Sequence, residues 1–293
     1  MGRLTGRAAI VTGSSRGLGR AIALAMASEG ASIAVVARTR EMWDERLPGT
    51  IFDTVESIRE AGGHATAICA DLLQPADRAR LVEEAQAALG PITILVNNAA
   101  FTAPGRPAGK TSPPPAAQPS PDRPPAERTE WPTFMNTPPR AYQRHFEMVF
   151  AAYELMQLVV PDMKAAGYGA IINITSGASR MPGDGPYPDR SYGTLAGYGG
   201  SKAALEHLSQ AAAYDVADYN IAVNSLSPSK TFLTPGVAYY AKDFADVAPE
   251  AEFGEAAVRL ALVDPERVTG RTIGHAQVLD GSFRPYEMHA LPA

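Results

Sequence analysis

Two residues four positions apart, Tyr198 and Lys202, form the pairing in this 293-residue chain best suited to acid–base chemistry. The stretch from about Gly197 to Asp218 reads as a helix, so positions i and i+4 share one face. A free phenol has a pKa of about 10, too high for efficient proton transfer at neutral pH. A neighbouring ammonium favours the phenolate and is expected to lower that value. A second chemistry-bearing stretch lies near the N-terminus, Ala8-Ala9-Ile10-Val11-Thr12-Gly13-Ser14-Ser15-Arg16-Gly17-Leu18-Gly19-Arg20. The apolar run ends at Thr12, three glycines follow, and Ala21, Ile22, Leu24, Ala25 and Met26 then recur at helical spacing. That order predicts a strand, a tight turn and a helix start. Glycines let the backbone approach a phosphate, and the helix N-terminus supplies unpaired N–H groups and the positive end of the dipole.

These two stretches must be positioned by the elements between and around them. Strands are predicted at Ser32 to Ala37, Ala65 to Ala70, Ile92 to Val96, Gly169 to Ser176, Ile221 to Leu226 and within Thr272 to Leu279. Between them, helices are predicted from about Thr50 to Ala61, from Pro75 to Leu89, from Arg140 to Ala166 and from Phe253 to Val263. Short apolar strands alternating with amphipathic helices imply an α/β fold: a Rossmann-like, doubly wound parallel sheet of about seven strands with helices on both faces. One interval breaks the rhythm. Residues 101–139 hold twelve of the 25 prolines, which excludes a regular helix or central strand there. This insertion is open to two readings, a solvated surface loop or a lid or oligomer arm. Trp131, Phe134 and Met135 are expected to bury its far end.

Composition narrows the class. The length suits a single domain, residues 1–293, carrying the insertion, and 45% hydrophobic residues suffice for a substantial core. A net charge of −5 without blocks of like charge argues against nucleic acid as a partner. The single cysteine, Cys69, rules out an intramolecular disulfide and a cysteine-based metal site, and its apolar run predicts a buried, inert thiol. No apolar run is long enough for a membrane span, and no signal-peptide core follows Met1, so a cytoplasmic location is expected.

Five signals in order resemble the short-chain dehydrogenase/reductase family over nearly the whole chain: Thr12-Gly13-x-x-x-Gly17-x-Gly19, Asp71, Asn97-Asn98-Ala99, a serine after the fifth strand, and Tyr198-x-x-x-Lys202. The resemblance implies an oxidoreductase moving hydride between a nicotinamide and a ketone or secondary alcohol. By it, Tyr198 exchanges the proton, Lys202 holds the nicotinamide ribose and tunes Tyr198, and Ser176 hydrogen-bonds the substrate oxygen, with Ser179 a competing candidate. The turn residues Gly13, Ser15, Arg16, Gly17, Leu18 and Gly19 would hold the cofactor phosphates. Asp71 and Leu72 would border the adenine, Asn98 and Ala99 the adenosine side, and Thr231 would reach the nicotinamide amide. An acid ending the second strand would bind a ribose 2′-hydroxyl, whereas arginine suits a 2′-phosphate. Here Ala37 and then Arg38 stand there, with Arg16 nearby and Arg40 as a substitute, so NADP(H) is preferred and NAD(H) remains open. The family also implies a homodimer or homotetramer.

Three departures from the family pattern stand out. Asn-Asn-Ala-Gly reads Asn-Asn-Ala-Ala, ending at Ala100, and Pro-Gly after the sixth strand reads Pro228-Ser229. The helix-four asparagine that supports proton relay aligns with Met148, which cannot anchor a relay water. Ser176 and Tyr198 also lie 22 residues apart, where the family has about thirteen. Two other functions therefore stay open: a nucleotide-binding regulatory or scaffold protein with weakened turnover, and an epimerase or dehydratase. Tyr187, Tyr192, Phe232, Tyr239, Tyr240 and Phe244 suggest an aromatic-lined substrate site.

Overall fold

Seven strands form one sheet: β1 (Ala8–Thr12), β2 (Ser32–Ala37), β3 (His64–Cys69), β4 (Ile94–Asn97), β5 (Gly169–Ile174), β6 (Ile221–Ser227) and β7 (Thr272–Gly274). The structure is a computed structural model describing residues 2–101, 134–135, 137–180, 195–239, 244 and 246–285. The spatial order is β3-β2-β1-β4-β5-β6-β7, and every neighbouring pair is parallel. The chain leaves β1 in one direction to build β2 and β3, then returns to place β4 on the other side. The crevice between β1 and β4 is thus the point where strand order reverses, and there doubly wound sheets bind ligands.

Alternation along each strand divides the core in two. Ala9 and Val11 of β1 pack beneath α1 (Gly17–Ser28), α2 (Ile51–Glu60) and α7 (Glu250–Leu260). Ala8 and Ile10 pack beneath α3 (Pro75–Leu89), α4 (Pro139–Ala166) and the end of α5 (Ala196–Asp215). Both faces are covered, so the strands carry nearly unbroken apolar runs.

Helix α2 starts on a capping box. Thr50 Oγ1 accepts from the Asp53 N–H at 3.1 Å, and Asp53 Oδ2 accepts from the Thr50 N–H at 2.9 Å. One turn on, Thr54 Oγ1 donates to the Ser14 carbonyl at 2.9 Å, tying α2 to the glycine-rich turn. Thr50→Ala is expected to lower stability by about 1 kcal/mol, a fall of about 2–4 °C in Tm for a chain of this size. Thermal unfolding followed by circular dichroism checks this; an unchanged Tm would count against the cap.

Several boundaries differ from expectation. Strand β4 starts at Ile94 because the Ile92 N–H is taken by Asp162 Oδ2 of α4 at 2.8 Å, outside the ladder. Helix α7 begins at Glu250, with Pro249 as an extended N-cap whose ring keeps the preceding residue out of the helical region. Beyond β7, residues His275–Leu279 turn into a short helix, α8. Cys69 is half-buried, with its thiol directed toward the Arg38 carbonyl at 3.8 Å, rather than enclosed in the core. Most of the 101–139 insertion, including Trp131, lies outside the described residues. Phe134 and Met135 are 79% and 91% exposed, so they do not bury its far end as expected.

Candidate active site

The glycine-rich turn is lashed to the end of β4. Asn98 Nδ2 donates to the Thr12 and Gly13 carbonyls at 2.9 and 3.2 Å. Thr12 Oγ1 accepts from the Asn98 and Ala99 N–H groups at 3.0 and 3.1 Å. Ser14, in the same turn, is anchored to Val11 and Val36. Ser15 is buried, and Leu18 packs its side chain against the core. Gly13 adopts φ +67°, a region that disfavours other residues. A Cβ on Gly19 would fall 2.4 Å from the Gly13 carbonyl oxygen and 2.4 Å from Asn98 Nδ2. The turn therefore presents bare backbone at the N-terminus of α1, and these residues fit a dinucleotide's pyrophosphate. Asn98 and Ala99 shape that turn from behind through their hydrogen bonds. Thr234, which the sequence reading missed, also approaches the turn and caps α6 (Pro235–Ala238) through a bond from the Val237 N–H at 3.3 Å. Its signal was the Thr234-Pro235 pair, a cap followed by proline at the first helical position.

At the other end of the crevice, Arg38 reaches within 3.8 Å of Asp71 Oδ2 and is nearly half-exposed, with its guanidinium 5.7 Å from the Phe101 ring centroid. Leu72, beside Asp71, is buried. Arg16 is turned inward: its Nη2 donates to Thr39 Oγ1 at 3.2 Å and to the Gly49 carbonyl at 3.1 Å, and burial lowers its pKa. Arg40 lies over Phe52 of α2 at 6.0 Å. Arg38 is thus the guanidinium paired with the expected adenine-side acid. Thr231 sits in the loop after β6, where it forms a short parallel bridge with Val247.

Tyr198 and Lys202 open into a pocket at the end of β4, together with Asn97, Phe101, His145 and Met148. Tyr198 keeps a solvent-facing edge, yet atoms crowd its hydroxyl. That burial pushes the phenol pKa up, and a hydrogen bond with Ser176 opposes it. Lys202 Nζ donates to the Ile174 carbonyl at 2.6 Å and stands 5.6 Å from the Tyr198 ring centroid. Burial drives the Lys202 pKa down to about 8, with Glu206 acting against that fall. The expectation that the ammonium would lower the phenol pKa is therefore corrected: burial dominates, and the ammonium points its proton at a backbone carbonyl.

Ser176 engages Tyr198 and also caps the 3₁₀ turn at residues 177–179, accepting from the Ala178 N–H at 3.2 Å. The competing Ser179 gives its hydroxyl to Glu206 at 2.7 Å. Much of the long interval between Ser176 and Tyr198, residues 181–194, lies outside the described residues. Below the pocket, Asn97 Nδ2 donates to Asn173 Oδ1 at 2.8 Å, and Asn173 Nδ2 to Ser209 Oγ at 2.8 Å, fastening α5 to the sheet.

Met148 does line the pocket, as its register implied. Three residues earlier on the same face, His145 presents its ring to Tyr198 at 6.0 Å, tilted by 74°. Burial first and Lys202 second hold the His145 pKa below its usual value, so the imidazole is neutral at neutral pH. A lone histidine in a helical apolar pattern gave no sequence signal until α4 and α5 were in register. Ser229 spends its polar groups on α8: its N–H donates to His275 Nδ1 at 2.8 Å and its hydroxyl to Gln277 Oε1 at 3.2 Å. Phe232, expected in the substrate site, is buried against Phe253 and His275 instead. Tyr187, Tyr192 and Tyr240 lie outside the described residues.

A parallel sheet in this order, with a glycine cradle at its reversal point and a Ser-Tyr-Lys cluster beside it, defines a dinucleotide-dependent enzyme fold. The chain belongs to the short chain dehydrogenase family, whose model matches residues 7–115 and 129–243, the gap falling inside the proline-rich insertion. It is an oxidoreductase of hydroxyl and carbonyl groups on small molecules that uses a nicotinamide cofactor. It is similar to 7alpha-hydroxysteroid dehydrogenase of Escherichia coli K12, 30% identical over 243 residues spanning 80% of this chain and 78% of that one. L-xylulose reductase of Mus musculus is 28% identical over 289 residues, 96% of this chain and 97% of its own. Among solved structures, a 7 alpha-hydroxysteroid dehydrogenase complexed with NADH and 7-oxo glycochenodeoxycholic acid matches with a TM-score of 0.70 at 26% identity, over 93% of both chains. No helix among the described residues is long and apolar enough to cross a membrane. Among the same residues, no cluster of His, Cys, Asp and Glu is placed to hold a metal ion.

Proposed function

We propose that the chain is an NADP(H)-dependent reductase of ketones, run in reverse as a secondary-alcohol dehydrogenase, with Tyr198 as its acid/base. The observation that carries this reading is the pocket lined by Tyr198 and Lys202, with Ser176 hydrogen-bonded to Tyr198. The cofactor would lie with its phosphates on Gly13, Ser15, Arg16, Gly17, Leu18 and Gly19, its adenosine by Asp71, Leu72, Asn98 and Ala99, and its amide toward Thr231. When bound, the nicotinamide supplies hydride to the carbonyl carbon or takes it from the alcohol.

The protein's own groups do the rest. Ser176 hydrogen-bonds the substrate oxygen as charge develops on it. Tyr198 gives its phenolic proton to that oxygen, completing the alcohol. Lys202 in its charged form stabilises the tyrosinate left behind and hydrogen-bonds the ribose hydroxyls. Neutral His145 can both donate and accept at the pocket wall, which offsets the loss of an amide at Met148. The raised phenol pKa keeps Tyr198 in the protonated form that the reductive direction needs, while making it a weaker acid, so the charge of Lys202 has to favour the tyrosinate as the proton leaves.

Arg38 supports the preference for the 2′-phosphate, because it is nearly half-exposed and beside the adenine-side acid. Arg38→Ala is expected to weaken NADPH binding by about 10- to 100-fold, the loss of a charged hydrogen bond worth about 1.5–3 kcal/mol. NADH binding changes little. Fluorescence titration with each cofactor checks this; equal losses for both would contradict the assignment. The substrate pocket has apolar walls in Phe101, Met148 and Val149, which suits a compact carbonyl or a steroid-like ketone. A single-domain, cytoplasmic homodimer or homotetramer completes the proposal. Met148 favours one rival, a nucleotide-binding protein with weak turnover. NADPH consumption across a panel including L-xylulose, 7-oxo glycochenodeoxycholic acid and simple cyclic ketones tests the main reading, and tight NADPH binding with no consumption would establish the rival.

A further inference from the structure

Glu206 lies one helical turn beyond Lys202 on α5, and its side chain is mostly covered, at 13% exposure. Its Oε1 accepts two hydroxyl hydrogen bonds, from Thr175 Oγ1 at 2.6 Å and from Ser179 Oγ at 2.7 Å. Those donors flank Ser176 on both sides. Between them the turn closes on itself, with the Ser179 N–H donating to the Ser176 carbonyl at 3.0 Å. The other carboxylate oxygen, Oε2, faces the Arg180 guanidinium at 4.0 Å. The same carboxylate acts on Lys202, opposing the fall in its pKa caused by burial.

We propose that Glu206 is a positioning residue of the active site: it clamps both ends of the turn that carries Ser176 and presents a negative charge to the Lys202 ammonium. This rests on and extends the oxidoreductase reading by linking Ser176, in the turn after β5, to Lys202 through a side chain on the helix that carries Lys202. The clamp fixes the Ser176 hydroxyl toward Tyr198, since a turn held at Thr175 and Ser179 has little freedom to rotate away. The charge has a separate effect. The charged and titratable groups that act on or face Lys202 are Tyr198 and Glu206 on α5 and His145 on α4, while Arg180, beyond the 3₁₀ turn, faces Glu206. His145 is neutral, and Arg180 faces the outer oxygen of Glu206. Glu206 is the acid among them that holds Lys202 protonated.

Two variants separate the clamp from the charge. Glu206→Ala removes both. Glu206→Gln keeps an oxygen that can accept from Thr175 and Ser179 but removes the charge. In E206A, kcat is expected to fall by about 100-fold, the scale of a misplaced catalytic group, and E206Q recovers most of that loss at acid pH. In both variants the alkaline limb of the kcat profile for NADPH-driven ketone reduction moves to lower pH by about half a unit or more, because Lys202 loses its proton earlier. Competitive labelling of the ligand-free protein with acetic anhydride, read by mass spectrometry against pH, reports the Lys202 midpoint without turnover. It is expected to move downward in both variants. Wild-type kcat, limb and labelling midpoint in E206A and E206Q would overturn the proposal, as would loss of kcat in both with no movement of limb or midpoint. If the wild type reduces no ketone, the functional reading fails, and the labelling midpoint still decides whether Glu206 governs Lys202.

Discussion

Tyr198→Phe is expected to lower kcat for ketone reduction by about 10²- to 10⁴-fold, the contribution of a positioned general acid. Binding of NADPH and the Tm should hardly change. The reason lies in what the substitution leaves alone. The ring that faces His145 at 6.0 Å is retained, and only the hydroxyl engaged by Ser176 is lost. With the phenol pKa raised by burial, Tyr198 stays protonated across the physiological range, so its own titration does not set the pH profile. Lys202 does. Its folded-state pKa is lowered to about 8, so the ammonium is present below that value and is lost as pH rises through it. Reduction by the wild type is expected to decline above about pH 8. Steady-state kinetics over pH 6 to 10, at about those limits, checks both; a Y198F variant with wild-type kcat would remove Tyr198 from the chemistry.

Gly19→Ala carries the second large effect. The added Cβ would sit 2.4 Å from the Gly13 carbonyl oxygen, well inside van der Waals contact, and Gly13 cannot retreat without breaking its bond to Asn98 Nδ2. Backbone on one side and a committed amide on the other make this a case of overpacking, worth about 1–3 kcal/mol. The turn must open, and its N–H groups then no longer converge at the N-terminus of α1. NADPH affinity is expected to fall by about 10-fold or more, and Tm falls with it. Calorimetric titration of G19A, alongside a melting curve, checks the prediction; wild-type affinity would mean that the turn does not hold the phosphates.

The parts of the molecule governed by local pattern were legible in the sequence. Strand β2 and helix α3 fall where apolar runs and Pro75 set them, because strand burial on two faces and helix start signals are short-range properties. That Tyr198 and Lys202 share one face of α5 was legible for the same reason: one helix fixes their relation. What escaped depends on register between distant elements. His145 reaches Tyr198 because α4 and α5 pack face to face, and Phe232 turns inward because Phe253 and His275 wait for it. The sign of the Tyr198 pKa shift is not legible in the sequence, because spacing reveals a neighbouring charge and says nothing about burial, which dominates here. Glu206 was invisible for a related reason, since its clamp joins α5 to a turn about thirty residues away in the chain.

In the proposed reaction this pocket moves hydride between a nicotinamide and a carbonyl carbon, with Tyr198 supplying the proton. Reduction of a ketone by NADPH deuterated at the transferable position, analysed by mass spectrometry of the product, tests it most directly. One deuterium is expected on the carbinol carbon of the wild-type product, with almost no product from Y198F under the same conditions. Labelled product formed by Y198F at the wild-type rate, or NADPH consumed by the wild type without label reaching carbon, would contradict it.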